Sequence, residues 1–455
     1  MDRKELLAER QKQHKQCTKN VKDFLGNVID DQSFVESNEF FASENGGKSV
    51  VWGQASIGGK LVFVVAQNSE VTQGGMSKQQ AEKFVKACDV AYDNNLPVIF
   101  VLDSCGGKIE EGVALLDSYA SILASAKETN QPSICIVKGN ALGSMALFAS
   151  LCDFVYMTDE SVMAINSPSV ISAQENLSGD AKSLFGAKLQ GENGNCTFVV
   201  KKEELGAHVS KLLDTLYSVG DDLSDADLNK ALGKIESANA KDKIKQLADK
   251  DSFIECYADY AKNVVAGLAK IGGYSVGIIA TDKEQLGGVL CPGSLSKISK
   301  LADICYLGGL PLVSLVDCPG APVNMRIEQS SMLADVAKYV QSIDGVRRIS
   351  VITGDAIGLG YTLLASKSLG CDSVIAWESA VVAPVAKEVG GIVVYNDEIS
   401  KAENPVQARE DAIAKYEQVD SDPYFAAEKG LIDKVIEAKY TRIHLIAELQ
   451  AMFNK

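Results

Sequence analysis

The chain has 455 residues, 46% of them hydrophobic and 23% charged, with a formal charge of −15 at pH 7. That length exceeds what one core organises and suits two domains of about 150 residues or somewhat more, while the acidic balance argues against nonspecific binding to nucleic acid or to an anionic membrane surface. Eleven cysteines lie scattered without a CxxC pair, as reduced thiols do in a cytoplasmic protein, and only three histidines, His14, His208 and His444, leave little from which to build a Ser-His nucleophile or a His-ligated metal, so no metal is expected.

The N-terminus, MDRKELLAERQKQHKQ, is charged and helical in pattern rather than an apolar signal, and no later run approaches the roughly 18 apolar residues of a membrane span. Residues 1 to about 45 read as one or two helices. Ser49 to Gln67 alternates like a strand pair with Gly58-Gly59 as its hairpin turn. Gly74-Gly75 precedes a helix from about Ser77 to Tyr92, whose stripe of Ala81, Phe84, Val85, Cys88, Ala91 and Tyr92 leaves Lys78, Lys83 and Lys86 on a solvated face, or, on a sharper reading, at a phosphate. Asn95 to Gly106, NLPVIFVLDSCG, reads as a buried strand ending at Asp103, and the loop after it leads to Glu110 and Glu111, placed to complement a helix dipole.

Ser133 to Val137 is another buried strand, and Lys138 to Asp153, KGNALGSMALFASLCD, follows it. Small residues at Gly139, Gly143 and Ser144, between strand and helix, let backbone N–H groups approach a ligand, which is the recipe for an oxyanion hole. From Val219 to about Lys250 the composition turns charged and Ala-rich and reads as a solvated linker.

Beyond it the landmarks return at a nearly constant offset. GLPLVSLVDCPG answers NLPVIFVLDSCG, with Asp317 for Asp103; Thr353 to Gly358 answers Lys138 to Gly143; Cys371-Asp372 answers Cys152-Asp153; and Tyr274 to Thr281 echoes the strand at Leu61. Self-similarity of this kind is a whole-fold signal. It implies two copies of one α/β domain, residues 1–245 and 246–455, and with them two sites.

Three segments carry a resemblance: DSCGGKIEEG at 103–112, VDCPGAPVNMRIEQ at 316–329, and DPYFAAEKGLIDKVIEAKYTR at 422–442. Together they resemble the carboxyltransferase subunit of biotin-dependent acyl-CoA carboxylases and decarboxylases over nearly the whole chain, most weakly in the linker. The resemblance implies two tandem crotonase-like domains, the first holding a short-chain acyl-CoA such as propionyl- or methylmalonyl-CoA and the second holding biotin, facing each other across a homodimer interface. It also implies oxyanion holes at Gly143 and Ser144 with Gly107 on the loop side, and at Gly358, Leu359 and Gly360 with Ala321 as loop partner. Flanking contacts to the bound groups would come from Gly74, Gly75, Gly106 and Lys108 in the first copy and from Pro319, Gly320, Tyr361 and Thr362 in the second.

The chemistry suits a chain poor in histidine. Moving a carboxyl group between biotin and an acyl-CoA α-carbon creates two oxyanions, and two holes hold them; biotin can itself take the α-proton, so no protein base is needed. The chain shows neither a glycine-rich ATP site nor a Met-Lys-Met biotin-attachment signal. The resemblance therefore implies separate partners: a biotin carboxyl carrier protein, and either a biotin carboxylase or a membrane decarboxylase subunit, with this chain a cytoplasmic homo-oligomer, a dimer or a trimer of dimers. The family's Gly-Gly is Gly143-Ser144 here, its Arg is Lys108, and the Asp it often has after Tyr is Thr362. An enoyl-CoA hydratase reading fails because Leu147 and Ser169 stand where two glutamates would be needed. An inactive scaffold or CoA-binding subunit with the same fold is the alternative.

Overall fold

The computed structural model describes residues 2–40, 49–126, 131–176, 179–217 and 232–453. The chain divides into two compact units, Met1–Asp214 and Thr215–Lys455. The division falls ahead of the 245/246 boundary drawn from composition, because part of the charged stretch is core. Leu232, Ile235, Ala240, Ile244 and Leu247 are buried in the second unit, while Lys241, Asp242 and Lys245 on the same helix, Ala240–Leu247, are exposed. An amphipathic stripe was hidden by the charge density around it. Residues 219–231 of the expected linker lie outside the described residues.

The first unit is built on a mixed sheet of eight strands: β1 (Val35–Ser37), β2 (Val50–Ile57), β3 (Lys60–Gln67), β4 (Val98–Ser104), β5 (Ser133–Leu142), β6 (Phe154–Met157), β7 (Val162–Ala164) and β8 (Phe198–Val199). Their order is β1-β2-β3-β4-β5-β6-β8, with β7 paired to β5. The expected hairpin is present: Ile57 pairs with Lys60 across Gly58 and Gly59, both at positive φ (57° and 75°), as a two-residue turn requires. From β3 onward the pairs are parallel. Every residue of β4 is buried, which is why the sequence there shows a continuous apolar run rather than alternation.

Helix Lys78–Asp93 starts where expected, with the Ser77 hydroxyl accepting the Gln80 N–H. Its Phe84 meets Phe100 of β4 and Phe148 of helix Ser144–Ala149 in the core. Lys83, expected on a solvated face, is 1% exposed. Burial pulls its ammonium down to about 8, with Glu36 partly offsetting the shift. The N-terminal region forms two helices, Arg3–Cys17 and Lys19–Leu25, anchored by buried His14, which bonds Glu36 at 2.8 Å.

The second unit repeats the first strand for strand. Its strands are β9 (Ile254–Cys256), β10 (Val264–Ile271), β11 (Tyr274–Thr281), β12 (Leu312–Cys318), β13 (Arg348–Ile357), β14 (Ser373–Trp377), β15 (Val381–Ala383) and β16 (Lys434–Ile436). They run β9-β10-β11-β12-β13-β14-β16 with β15 paired to β13. The C-terminal motif is structural in this unit. Asp433 accepts the Val374 N–H at 2.9 Å, Thr441 accepts the Trp377 indole N–H at 2.8 Å, and Arg442 pairs with Asp249 at 2.7 Å. Among the described residues no helix is long and apolar enough to cross a membrane.

Candidate functional site

In each unit the strand carrying the key aspartate slips register at that residue, between Leu102 and Ser104 on β4 and between Val316 and Cys318 on β12. The bulge turns the carboxylate toward the neighbouring strand. Asp103 accepts the Asn140 N–H at 3.1 Å, the Ser69 hydroxyl at 2.6 Å and the Lys138 ammonium at 3.1 Å. Asp317 accepts the Asp355 N–H at 2.8 Å and the Lys283 ammonium at 2.8 Å. A Cβ at Gly139 would overlap the Asp103 carboxylate, and one at Gly354 would overlap that of Asp317. Glycine at these positions serves a close approach inside the strand, and the two aspartates are struts that fix the strand leading to each corner.

At the corners, Gly143 lies at φ +62°, ψ −128° and Gly358 at φ +51°, ψ −115°, a region that suits only glycine. Neither offers its N–H to a ligand. Gly143 donates to Ala164 O at 3.0 Å and Gly358 to Ala383 O at 2.9 Å, because β7 and β15 pair with the last residues of β5 and β13. Of the expected donors, Gly143 and Gly358 therefore drop out, while Ser144 and Leu359 stay available. Ser144 and Leu359 open the helices Ser144–Ala149 and Leu359–Leu364, and their N–H groups have no backbone acceptor among the described residues, as first-turn residues within a helix do not.

A loop meets each corner. Gly106 and Gly320 sit at φ +103° and +98° and accept the Met76 and Leu290 N–H groups, both at 2.8 Å. A Cβ on Gly320 would lie 3.8 Å from Leu359 N, and one on Gly106 would lie 3.9 Å from Leu142 O. Gly107 and Ala321 follow, with N–H groups that no described backbone carbonyl accepts. Each unit thus presents two unengaged N–H groups on segments packed together, the arrangement that can hold a negative oxygen.

Residues 12–455 match the family described as carboxyl transferase domain. The chain belongs to the carboxyl transferase family. It is 29% identical over 474 residues to the methylmalonyl-CoA carboxyltransferase 12S subunit of Propionibacterium freudenreichii subsp. shermanii, covering 98% of this chain and 90% of that protein. It is 31% identical over 481 residues to the methylmalonyl-CoA decarboxylase subunit alpha of Veillonella parvula, covering 98% and 92%. A crystal structure of transcarboxylase 12S, described as a hexamer assembly with methylmalonyl-coenzyme A and methylmalonic acid bound, matches with a TM-score of 0.86 at 27% identity, over 99% of this chain and 95% of that one. Carboxyl transfer is the reaction class of this chain.

Around the carboxyl transferase corners the other expected residues take varied places. Gly74, at φ +67°, packs against the Asp103 carbonyl, where a Cβ would overlap it, and Gly288 does the same at Asp317. Gly75 donates to Thr72 O at 2.8 Å. Lys108 is half-buried on the loop after Gly107, and Pro319 and Gly320 form the matching loop of the second unit. Tyr361 donates to Leu431 O at 3.1 Å, and burial raises its phenol. The Thr362 hydroxyl is spent on Gly358 O at 2.9 Å. Gly360 packs against the Cys318 backbone too closely for any side chain. Glu111 lies in the first turn of the short helix Ile109–Glu111 and also accepts the Lys78 N–H at 2.7 Å, so that it caps helix Lys78–Asp93 as well.

Sequence reasoning missed three features. Gln67 and Thr281 end β3 and β11 and accept the N–H of Asp103 and Asp317, at 3.1 Å and 2.7 Å. Lys297 occupies in the second unit the place of Lys83 in the first, donating to Tyr260 O at 2.9 Å and Val264 O at 2.7 Å. Tyr119 presses its hydroxyl against Gly107. Comparing the two copies position by position would have paired Gln67 with Thr281 and Lys83 with Lys297. Nothing in the sequence points to Tyr119.

Proposed function

We propose that this carboxyl transferase moves a carboxyl group between biotin on a separate carrier protein and the α-carbon of a short-chain acyl-CoA of the propionyl- or methylmalonyl-CoA class. The observation that carries this reading is the repeated corner, with Ser144 and Gly107 in one unit and Leu359 and Ala321 in the other each presenting an unengaged N–H. The matched strand orders support two crotonase-like domains related by duplication. The first domain takes the thioester and the second takes biotin.

The donor set suits these ligands. Ser144 and Gly107 hold the thioester oxygen as it becomes an enolate, and Leu359 and Ala321 hold the ureido oxygen as negative charge gathers there. When bound, biotin supplies the carboxyl carrier and an acceptor for the α-proton. The chain's own work is to orient the two reactants and to steady both oxygens without a titrating side chain. His14 and His208 are engaged elsewhere, with Glu36 and with the Tyr156 hydroxyl.

Exposed apolar side chains on the loop after each aspartate, Ile109 and Val113 in the first unit and Val323 and Met325 in the second, support a homo-oligomer that covers them, a dimer or a trimer of dimers. The biotin carrier and a biotin carboxylase or membrane decarboxylase subunit complete the complex, in the cytoplasm or docked to a membrane through such a partner. The test is exchange of carboxyl between methylmalonyl- or malonyl-CoA and free biotin by the purified chain. Turnover is expected; its absence with every short acyl-CoA overturns the reading in favour of a scaffold.

A further inference from the structure

The two corners share a backbone but differ in side chains. In the second unit the residues that carry the free N–H groups, Leu359 and Ala321, are both apolar. In the first, the same positions are Ser144 and Gly107, and Tyr119 fills the space that a Cβ on Gly107 would take. Ser144 is 5% exposed, and its hydroxyl oxygen is buried with no hydrogen-bond partner among the described residues. The Tyr119 side chain, on helix Ala114–Ala124, is half-buried, and its hydroxyl makes no hydrogen bond among the described residues.

A buried hydroxyl left unpaired is unfavourable, and proteins seldom keep one without a use. Other hydroxyls around these corners are paired: Ser104 accepts the Gly106 N–H at 3.2 Å, and Thr362 donates to Gly358 O at 2.9 Å. The first corner therefore holds two hydroxyl donors in excess of what its own fold consumes, beside two unengaged N–H groups. A simple acyl thioester has one oxygen for the site to hold, and the two N–H groups suffice for it. A carboxylated thioester brings two more oxygens and a full charge, and each can accept a charge-assisted hydrogen bond.

We propose that Ser144 and Tyr119 are specificity-determining residues whose hydroxyls donate to the α-carboxylate of a malonyl-type CoA thioester, so that the first unit favours the carboxylated substrate over its decarboxylated counterpart. This rests on the reading of that unit as the acyl-CoA site. No covalent step is added.

The experiment is titration calorimetry of the full chain with methylmalonyl-CoA and with propionyl-CoA, for the wild type, Ser144→Ala and Tyr119→Phe. Each variant is expected to lose about five- to tenfold in affinity for methylmalonyl-CoA and less than twofold for propionyl-CoA, the size of one charge-assisted hydrogen bond. Ser144→Ala should melt no lower than wild type, since it deletes an unpaired buried hydroxyl, and Ser144→Thr should restore the preference. Parallel losses for both ligands, or none for either, overturn the proposal while leaving the acyl-CoA site standing. A wild-type chain that binds neither thioester overturns the functional reading and this one with it. Tyr119→Phe decides the matter alone should Ser144→Ala not fold.

Discussion

Lys138 and Lys283 do one electrostatic job from non-equivalent places. Lys138 reaches Asp103 from β5 at 3.1 Å, and Lys283 reaches Asp317 from the turn after β11 at 2.8 Å. The positions are crossed between the copies: Thr353 answers Lys138, and Ser69, which answers Lys283, gives Asp103 a hydroxyl at 2.6 Å. Each carboxylate has a lysine partner, supplied from a strand in the first unit and from a turn in the second. Lys138→Met should therefore destabilise the first unit by about 2 kcal/mol, less than the loss of a fully buried pair because Asp103 keeps its bonds from Ser69 and Asn140. Adding Ser69→Lys to Lys138→Thr, which transplants the second unit's arrangement, should recover most of that loss. Urea unfolding of the single and double variants measures it, and a double variant no more stable than Lys138→Met contradicts the equivalence.

The strut acts through close approach as well as charge. Gly139→Ala forces its Cβ onto the Asp103 carboxylate, which must swing away and release the Asn140 N–H. Overpacking together with a lost buried hydrogen bond should cost about 3 kcal/mol. Gly354→Ala should cost a similar amount through Asp317. Both variants should also lose turnover beyond what their stability explains, because the same strands deliver the corners. Thermal unfolding and the exchange rate, followed together, test this, and wild-type stability in either variant refutes it.

Buried Lys83 and Lys297 predict an unusual pH dependence. Burial holds both ammonium groups down to about 8, against about 10.4 in an unfolded chain. Between those values the unfolded state binds more protons than the folded one, so stability rises with pH, by at most roughly 1.4 kcal/mol per pH unit for each lysine. The gain begins near pH 8 and is complete near 10.4. Lys297→Met should flatten this slope by about half. It should also lower stability at neutral pH, because Tyr260 O and Val264 O lose their donor. Unfolding free energies at pH 7.5 and 9.5 decide it, and equal slopes for wild type and variant would count against the assignment.

Much of this architecture was legible because the chain writes it twice. Asp103 and Asp317, and Gly143 and Gly358, stood out by spacing, and the hairpin at Gly58-Gly59 and helix Lys78–Asp93 followed from turn chemistry and apolar periodicity. Charge misled where burial overrode it. Lys83 sits in the core although lysine usually marks a surface, and Ala240, Ile244 and Leu247 are core within a run that looks solvated. Of the expected pair Gly143 and Ser144, the first is no donor, for a reason no single sequence displays. Whether Gly143 keeps its N–H free depends on β7 pairing with the end of β5, a contact between segments some twenty residues apart that only the fold reveals.

The engagement of the Gly143 N–H changes which substitution tests the oxyanion donors. Proline at Gly143 would break the bond to Ala164 and demand a φ near −65° at a residue held at +62°, so it would unfold the corner rather than probe it. Proline at Ser144 is different. The first residue of a helix tolerates proline, whose missing N–H is one the helix does not use. The preceding Gly143 at φ +62°, ψ −128° lies in the mirror image of the extended region that proline asks of its neighbour. Ser144→Pro should thus remove one donor with little loss of fold. Losing an oxyanion donor costs on the order of 10²- to 10³-fold in rate, and that is the fall expected in carboxyl exchange. Leu359→Pro makes the same deletion at the second corner, beside Gly320. It should slow exchange comparably while leaving acyl-CoA affinity within about twofold, since biotin, not the thioester, loses the contact. A folded Ser144→Pro protein with wild-type exchange would place the oxyanion elsewhere in the molecule.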